Sequence, residues 1–160
     1  MEVRELANED RTWLRTLIES DWGLPVVSIS GLHDPSTLPG FVAWLGGERS
    51  GALTYRLGED GCEIVTLNSL CEGRGIGSAL LTAARQVAER LGVRLWLITT
   101  NDNIHAIRFY QRRGMDLCRL HRDFIDTVRA AKPQIATAAT DGIAFRHALE
   151  FCIGTPTVPR

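Results

Sequence analysis

The stretch "CEGRGIGSALL" (71–81) places three glycines at alternate positions directly before an apolar run that favours a helix. Residues 62–70, "CEIVTLNSL", have the composition of a strand, and residues 75–91 carry an apolar stripe at helical spacing. Residues 93–100, "VRLWLITT", are nearly continuously apolar, as expected of a strand covered on both faces. Strand, helix and strand in this order predict a βαβ unit, whose crossover is almost always right-handed and joins parallel strands.

The glycine turn of this unit lies where the first strand ends and the helix begins. Free backbone N–H groups and the positive end of the helix dipole converge there. Gly73, Gly75 and Gly77 would let an anion approach these groups without meeting a Cβ, so a phosphate or pyrophosphate is the natural occupant. A tight turn that binds nothing is the alternative. A nucleotide-binding P-loop is disfavoured because no lysine follows Gly77, and the dinucleotide fingerprint because Leu80 stands where its last glycine would fall.

The rest of the sequence shows no internal repeat and no linker, which predicts a single domain over residues 1–160. A helix is expected to begin at Asn8, another to cover 103–113 with Asn101 or Asp102 as its cap, and a short one to cover 123–131. Further strands are predicted at 3–6, 26–30, 41–45, 49–57, 115–121 and 144–153.

Composition and charge exclude several classes of protein. The net charge of -1 and the pI near 6.4 give no electrostatic basis for binding nucleic acid or an anionic membrane. No apolar run approaches the ~18 residues that span a bilayer, and the N-terminus lacks a signal-peptide core, so a cytoplasmic protein is expected. The cysteines have no CxxC spacing and the histidines no HxxxH or HExxH spacing, which predicts reduced thiols and no metal site.

Two motifs, in order along the chain, carry a resemblance to a known family. "EGRGIGSALL" followed by "NIHAIRFYQRRGM" resembles the GNAT superfamily of N-acetyltransferases. The family's coenzyme A loop runs Gln/Arg-x-x-Gly-x-Gly/Ala, and its later helix runs Asn-x-x-Ala-x-x-x-Tyr, followed by a glycine. Residues 72–77 and 103–114 fall on these patterns, with Glu72 where the family usually has Gln or Arg. The resemblance covers roughly residues 41–120 and implies a GNAT-type α/β (α+β) fold: a mixed, largely antiparallel sheet flanked by helices, with one parallel βαβ pair.

The resemblance implies acetyl-CoA as co-substrate, lying between the strands 62–70 and 93–100 where they splay apart. Its pantetheine arm is expected on the open edge of the first strand, where the N–H of Leu70 would stabilise the oxyanion formed from the thioester. Asn103 could contact the cofactor, cap its helix, or do both. The residues expected to bind the cofactor are Asn68, Ser69, Leu70, Gly73, Arg74, Gly75, Ile76, Gly77, Ser78, Asn103, Ala106 and Tyr110.

Two residues are expected to carry the chemistry. Helical spacing places Ala106 and Tyr110 on one face, and the Tyr110 phenol, with an ordinary pKa of about 10, could protonate the departing thiolate. A tyrosine packed in the core beside Phe109 is the alternative. Glu63 is the candidate base that removes the proton of the amine, although an acidic residue at the start of a strand is more often a solvated strand end. A covalent acyl-cysteine at Cys71 is not expected.

The resemblance therefore implies an enzyme, an acetyl-CoA-dependent N-acetyltransferase. Its acceptor, a small-molecule or peptide amine, would attack the thioester directly in a ternary complex. No nucleic-acid or membrane partner is expected, and a homodimer is compatible with the sequence. Two other classes remain open: a non-catalytic acyl-CoA-binding regulatory module that lacks a productive acceptor site, and a nucleotide-binding protein.

Overall fold

A computed structural model describes residues 1–135 and 140–154 of the chain. These residues form two compact units, Met1–Leu95 together with Gly154, and Trp96–Ile153. The prediction of one domain over residues 1–160 stays a prediction. None of the described helices is both long and apolar enough to cross a membrane.

The first unit is built on an antiparallel sheet with the strand order β1-β4-β5-β6. Two helices with an apolar stripe accompany it, α1 (Arg11–Asp21) and α2 (Ile76–Leu91). A short 3-10 helix, Asn8–Asp10, precedes α1, and another, Pro35–Thr37, precedes β4. The strands are β1 (Glu2–Glu5), β2 (Val26–Ser28), β3 (Gly31–His33), β4 (Gly40–Leu45), β5 (Glu48–Gly58) and β6 (Gly61–Ser69).

The segment 26–30, predicted as a strand or extended segment, forms a strand only over its first three residues. Strand β2 stops at Ser28 and pairs with β3 in a separate two-stranded hairpin. Gly31 turns the chain with a φ of +123°, a conformation that glycine adopts without strain. The side chains of Ser30 and His33 form a hydrogen bond of 2.7 Å across this hairpin. The three residues of β3 are too few to show the alternation that reveals a strand.

The sheet of the first unit has one helix on each face. On one face, Leu14 and Ile18 of α1 pack in a cluster that includes Ala52 of β5. On the other face, α2 approaches Gly51 so closely that an added Cβ would lie 2.6 Å from Cγ2 of Ile76. Because consecutive residues of a strand point to opposite faces, Gly51 and Ala52 identify the α2 face and the α1 face respectively.

Strand β6 contains a bulge and is joined by α2 to the start of the next strand. Thr54 pairs with Thr66 whereas Tyr55 pairs with Ile64, so Val65 is the additional residue on β6. The N–H of Cys62, at the start of β6, donates to the carbonyl oxygen of Arg94 at 2.9 Å. Helix α2 thus returns the chain to the beginning of β6, as the predicted βαβ unit requires.

The second unit carries three strands in the order β7-β9-β8, with β8 and β9 antiparallel. The strand predicted within 144–153 is confirmed as β9. The elements are β7 (Leu95–Thr100), α3 (Ile104–Gln111), β8 (Asp116–His121), α4 (Phe124–Ala131) and β9 (Ala148–Ile153).

A disulfide joins Cys118 to Cys152, so the prediction of four reduced thiols is wrong for this pair. Cys118 lies at the register shift of β8 and Cys152 pairs with Asp116 on the same strand, so the two Cα atoms are 6.1 Å apart. A separation of 34 residues hides this pairing in the sequence, because it depends on the register of two strands. Cys62 and Cys71 are free thiols. Burial, and to a lesser extent the neighbouring Glu63, raises the pKa of Cys62 to about 11, so this thiol stays protonated.

Asp10 is fully buried and ties the start of α1 to two strands of the sheet. Its carboxylate accepts hydrogen bonds from Ala7 N at 2.9 Å and Arg49 Nε at 2.8 Å, and Nη2 of Arg4 lies 3.5 Å away. Burial by itself would raise the pKa of Asp10, but the amide and the two guanidinium groups outweigh it and hold the pKa below its usual value.

Replacing Asp10 with Asn is expected to lower the free energy of unfolding by about 2 kcal/mol at neutral pH, because charge-assisted hydrogen bonds become neutral ones. Since the folded-state pKa is depressed, this stabilisation exists above the ordinary pKa of about 4 and is lost as the pH falls through the folded-state value. Urea denaturation of both proteins from neutral pH to about pH 3 measures it. Glu9→Gln, which removes an exposed partner of Arg4, is the control and should cost less than about 0.5 kcal/mol. Equal losses in the two variants would contradict the role of Asp10.

Candidate functional site

The turn between β6 and α2 is a glycine loop with open space in front of it. Gly73 and Gly75 have φ values of +70° and +76°, in the left-handed region where other residues are strained. A Cβ added at either glycine would meet no atom within 4 Å. Backbone conformation therefore accounts for both glycines, and a ligand has room to approach the backbone. Gly77 has a different role, because it is buried in the first turn of α2.

Helix α2 begins without a side-chain cap among the described residues. Gly75 is its N-cap residue, and the first turn contains no acidic side chain. Glu72 and Arg74 are exposed, and the Glu72 carboxylate does not accept from the helix amides. The side chain of Ile76 is buried, so this residue could meet a ligand only through its backbone N–H. Uncapped amides at the positive end of a helix dipole suit a phosphate group.

Strand β6 presents a different set of backbone N–H groups from the set predicted. The N–H of Leu70 donates to the carbonyl oxygen of Ser50 at 2.9 Å, so it is already bound and does not face an oxyanion. The expected role of this amide is therefore not supported by the structure. In an antiparallel pair, N–H groups alternate between the two edges of a strand. The N–H groups of Ser69 and Leu67 consequently point to the edge of β6 that faces away from β5.

The α1 face of β5 and β6 carries a row of buried polar side chains. The hydroxyl groups of Thr54 and Thr66 lie 2.7 Å apart. Farther along β6, the Asn68 side chain is 7% exposed and points toward the end of α1. Its Nδ2 donates to Asp21 Oδ2 at 2.7 Å, so the predicted cofactor residue contacts α1 with its side chain. Buried polar groups are costly unless they are paired, and these are paired.

Glu63 belongs to the same row and is fully buried rather than solvated at a strand end. One carboxylate oxygen accepts a hydrogen bond from the Ser28 hydroxyl, and the other pairs with Nε of Arg56. Arg56 also pairs with Asp60, which is partly exposed. A buried carboxylate with a cationic partner retains its charge more readily than an isolated one. Two side chains, Ser28 and Arg56, therefore hold Glu63, and the sequence analysis did not predict either contact.

Helix α3 in the second unit carries the residues of the second motif. Asn103 is the N-cap: its Oδ1 accepts from Ala106 N at 3.1 Å. The prediction of Asn101 or Asp102 as this cap is wrong. Asn101 instead accepts at Oδ1 from the backbone N–H groups of Arg146 and His147 and so fixes the chain before β9. The cap interpretation of Asn103 is confirmed, and its cofactor contact stays a prediction.

Tyr110 lies one turn after Ala106 and is buried. Its ring contacts Phe109 edge-on, with 5.2 Å between centroids, and Phe151 of β9, with 5.9 Å between centroids. Burial raises the pKa of Tyr110, so the phenol stays neutral throughout the physiological range. Among the described residues, the structure shows no hydrogen-bond partner for its hydroxyl group. The core-packed interpretation is confirmed for the ring, and the catalytic role of the hydroxyl group stays a prediction.

Sequence reasoning missed the side chains that support Glu63 and Asn68. Ser28 and Arg56 hold the first, whereas Asp21 and Trp22 contact the second. Only tertiary packing brings α1 and β2 against β6, so no local pattern could have revealed them. No cluster of three or more metal-ligating side chains occurs within residues 1–135 and 140–154.

Comparisons with known proteins agree on the fold. A model of the acetyltransferase (GNAT) family matches residues 2–115. YxbD from Bacillus subtilis (strain 168), an uncharacterized protein, is 40% identical over 135 residues, which are 82% of this chain and 84% of YxbD.

Two solved structures show the same architecture at low sequence identity. A Bacillus subtilis acetyltransferase in complex with CoA has a TM-score of 0.70 and 20% identity, with 96% of this chain and 97% of that chain covered. The ribosomal-protein-S18-alanine N-acetyltransferase from Escherichia coli has a TM-score of 0.67 and 16% identity, with 99% and 96% covered. The predicted fold class, a GNAT-type α+β fold with a mixed sheet flanked by helices, is confirmed.

Proposed function

Because the chain belongs to the GNAT family of acetyltransferases, we propose that it transfers the acetyl group of acetyl-CoA to a primary amine. Family membership supports acetyl transfer in general. The CoA-bound neighbour supports acetyl-CoA as co-substrate, and the neighbour that acts as a ribosomal-protein-alanine N-acetyltransferase supports a nitrogen acceptor. A cytoplasmic location and a homodimer stay predictions.

The glycine loop is the observation that carries this proposal. Gly73 and Gly75 open the backbone to an approaching group, and α2 begins with amides that no side chain caps. The diphosphate of acetyl-CoA binds there, with its negative charge at the positive end of the helix. Arg74 is exposed next to these amides and adds a positive charge. Ser78, which was also predicted to bind the cofactor, lies in the first turn of α2 next to these amides.

The pantetheine arm of acetyl-CoA, which ends in the thioester and is called the thioester arm below, follows the edge of β6 that faces away from β5. The N–H groups of Leu67 and Ser69 point to this edge, and one of them takes the role first assigned to Leu70. A backbone donor that is fixed by a strand requires no reorganisation when negative charge develops on the carbonyl oxygen. This arrangement favours direct attack by the amine in a ternary complex, and no acyl-enzyme is required.

One protein group accepts a proton in this mechanism, and another donates a hydrogen bond to the leaving sulfur. Glu63 accepts a proton from the amine through water, since Ser28 and Arg56 hold its carboxylate on the α1 face. Tyr110 donates to the departing sulfur. Since burial raises the pKa of this phenol, complete transfer to a thiolate is uphill, and the main contribution is a strong hydrogen bond as charge develops. Asn103 and Ala106 lie beside the thioester arm in this proposal, as predicted from the sequence.

The proposal is tested by adding the same methyl group at the two ends of α2. Gly75 and Gly92 both adopt left-handed conformations with open space around them. Each change to Ala is expected to cost about 1 kcal/mol of folding stability through backbone strain. Gly75→Ala should also weaken CoA binding at least about tenfold, since the Cβ enters the space of the diphosphate. Calorimetric titration with CoA measures this, and Gly92→Ala is the matched control.

Equal CoA affinities in the two variants, or no heat of CoA binding to the wild-type protein, would overturn the assignment of the glycine loop. A screen of diverse amines for thiol release from acetyl-CoA then separates the enzyme from the acyl-CoA-binding regulatory module. Tight CoA binding without thiol release across a broad panel would favour the module.

A further inference from the structure

Asp21 is the last residue of α1, where the helix dipole is negative and favours a cation over a carboxylate. The last turn of α1 contains no basic residue. The other acidic residues of the described helices each pair with an arginine: Glu19 with Arg15, Glu89 with Arg85, and Asp126 with Arg129. Asp21, in contrast, forms no ion pair with a described residue. The Asp21 carboxylate is therefore available to form an ion pair with a positively charged ligand.

Asn68 holds this carboxylate in place from β6. Its Nδ2 donates to Asp21 Oδ2 at 2.7 Å, and its Oδ1 accepts from Trp22 Nε1 at 3.3 Å. Both ends of one buried amide are thus used to orient the two residues at the end of α1. Asp21 remains exposed while it is anchored, so an incoming ammonium group would meet a carboxylate that has already lost much of its rotamer freedom.

The position of Asn68 connects this carboxylate with the proposed reaction. Ser69, the next residue of β6, directs its N–H to the edge proposed for the thioester arm, whereas the Asn68 side chain points to the α1 face. Glu63, the proposed base, points to that same face. An acceptor that approaches from the α1 face to reach the thioester would therefore pass near Asp21.

We propose that Asp21, positioned by Asn68, selects amine acceptors that carry a second positive charge. This inference rests on the proposed function and adds the substrate class to it. One amino group attacks the thioester after losing its proton, while the second stays protonated and binds the Asp21 carboxylate. A diamine satisfies both requirements, and a monoamine of equal length satisfies only the first. The contribution is one of binding, so Asp21 acts on specificity and takes no part in proton transfer.

The experiment compares diaminobutane with aminopentane, which has a methyl group in place of the second amino group. Thiol release from acetyl-CoA gives kcat/KM for each. The wild-type protein is expected to prefer the diamine about fivefold, the upper range for one exposed ion pair. Asp21→Asn keeps the side-chain size and an oxygen acceptor for Asn68. It should lower kcat/KM for the diamine and reduce the preference to about twofold, the statistical advantage of two equivalent amino groups.

Glu19→Gln is the control, because it removes another exposed carboxylate from the same helix end and should keep the preference. A wild-type protein that uses both amines equally, or an Asp21→Asn variant that keeps the preference, would overturn the inference and leave acetyl transfer intact. Thiol release with neither amine, despite CoA binding, would overturn the diamine class and count against amine transfer. If the wild-type protein does not bind CoA, the proposed function itself is refuted.

Discussion

Tyr110→Phe is expected to lower kcat about 100-fold while leaving CoA affinity unchanged. The substitution removes one oxygen atom and preserves the ring, so the contacts with Phe109 and Phe151 remain. The hydroxyl group has no hydrogen-bond partner among the described residues, and its loss therefore does not leave a protein group unpaired. Steady-state thiol release, together with calorimetric titration of CoA, separates the two effects.

Tyr55→Phe is the matched control for this substitution. Tyr55 is the other tyrosine of the chain, and its ring stacks on Phe41 with 5.9 Å between centroids. The same atom is removed from a ring that alternation along β5 places on the opposite face of the sheet from Arg56 and Glu63, so kcat should not change. Because burial raises the pKa of Tyr110, its phenol also stays protonated as the pH rises to about 10, and wild-type kcat should not fall through its ionisation in that range. Unchanged turnover in Tyr110→Phe would remove Tyr110 from the mechanism.

Glu63→Gln is expected to lower kcat/KM about 100-fold at neutral pH. At this pH the amine acceptor is protonated, and without a base only its small neutral fraction reacts. The activity of the variant should therefore rise about tenfold per pH unit toward the ordinary amine pKa of about 10, and its deficit relative to the wild-type protein should shrink. A pH–rate profile of both proteins measures this convergence.

Loss of stability is the main complication of Glu63→Gln, because Arg56 loses its buried carboxylate partner. The free energy of unfolding should fall by about 2 kcal/mol, which denaturation measures independently. Glu150→Gln is the control: Glu150 is also buried, and it pairs with His121 at 2.8 Å. It should lose comparable stability and keep its activity. A Glu63→Gln deficit that is the same at every pH would identify a structural role and exclude a proton acceptor.

The sequence was informative wherever function depends on local backbone chemistry. The glycine loop could be predicted because left-handed φ values at Gly73 and Gly75 demand glycine, and the cap at Asn103 because an amide side chain satisfies the first turn of a helix. Hydrophobic periodicity also predicted the bounds of β6, α2 and β7 to within two residues.

The errors concern contacts between residues that are distant in the sequence. The disulfide between Cys118 and Cys152 depends on the register of β8 and β9. The occupied N–H of Leu70 depends on its pairing with Ser50 across β5 and β6. Glu63 looked like a solvated strand end because its partners come from elements that local patterns do not link to it.

Gly51 has a consequence for the glycine loop, because Ile76, the residue that approaches Gly51, is the first residue of α2 and directly follows the loop. A hydrogen atom in place of a side chain sets the depth at which the helix rests on β5, since even a methyl group would lie 2.6 Å from Ile76. Enlarging this residue would lift the start of the helix, and the amides that meet the diphosphate would move with it. If the diphosphate binds at the glycine loop as proposed, a residue of β5 on the sheet side of α2 also influences the affinity for CoA.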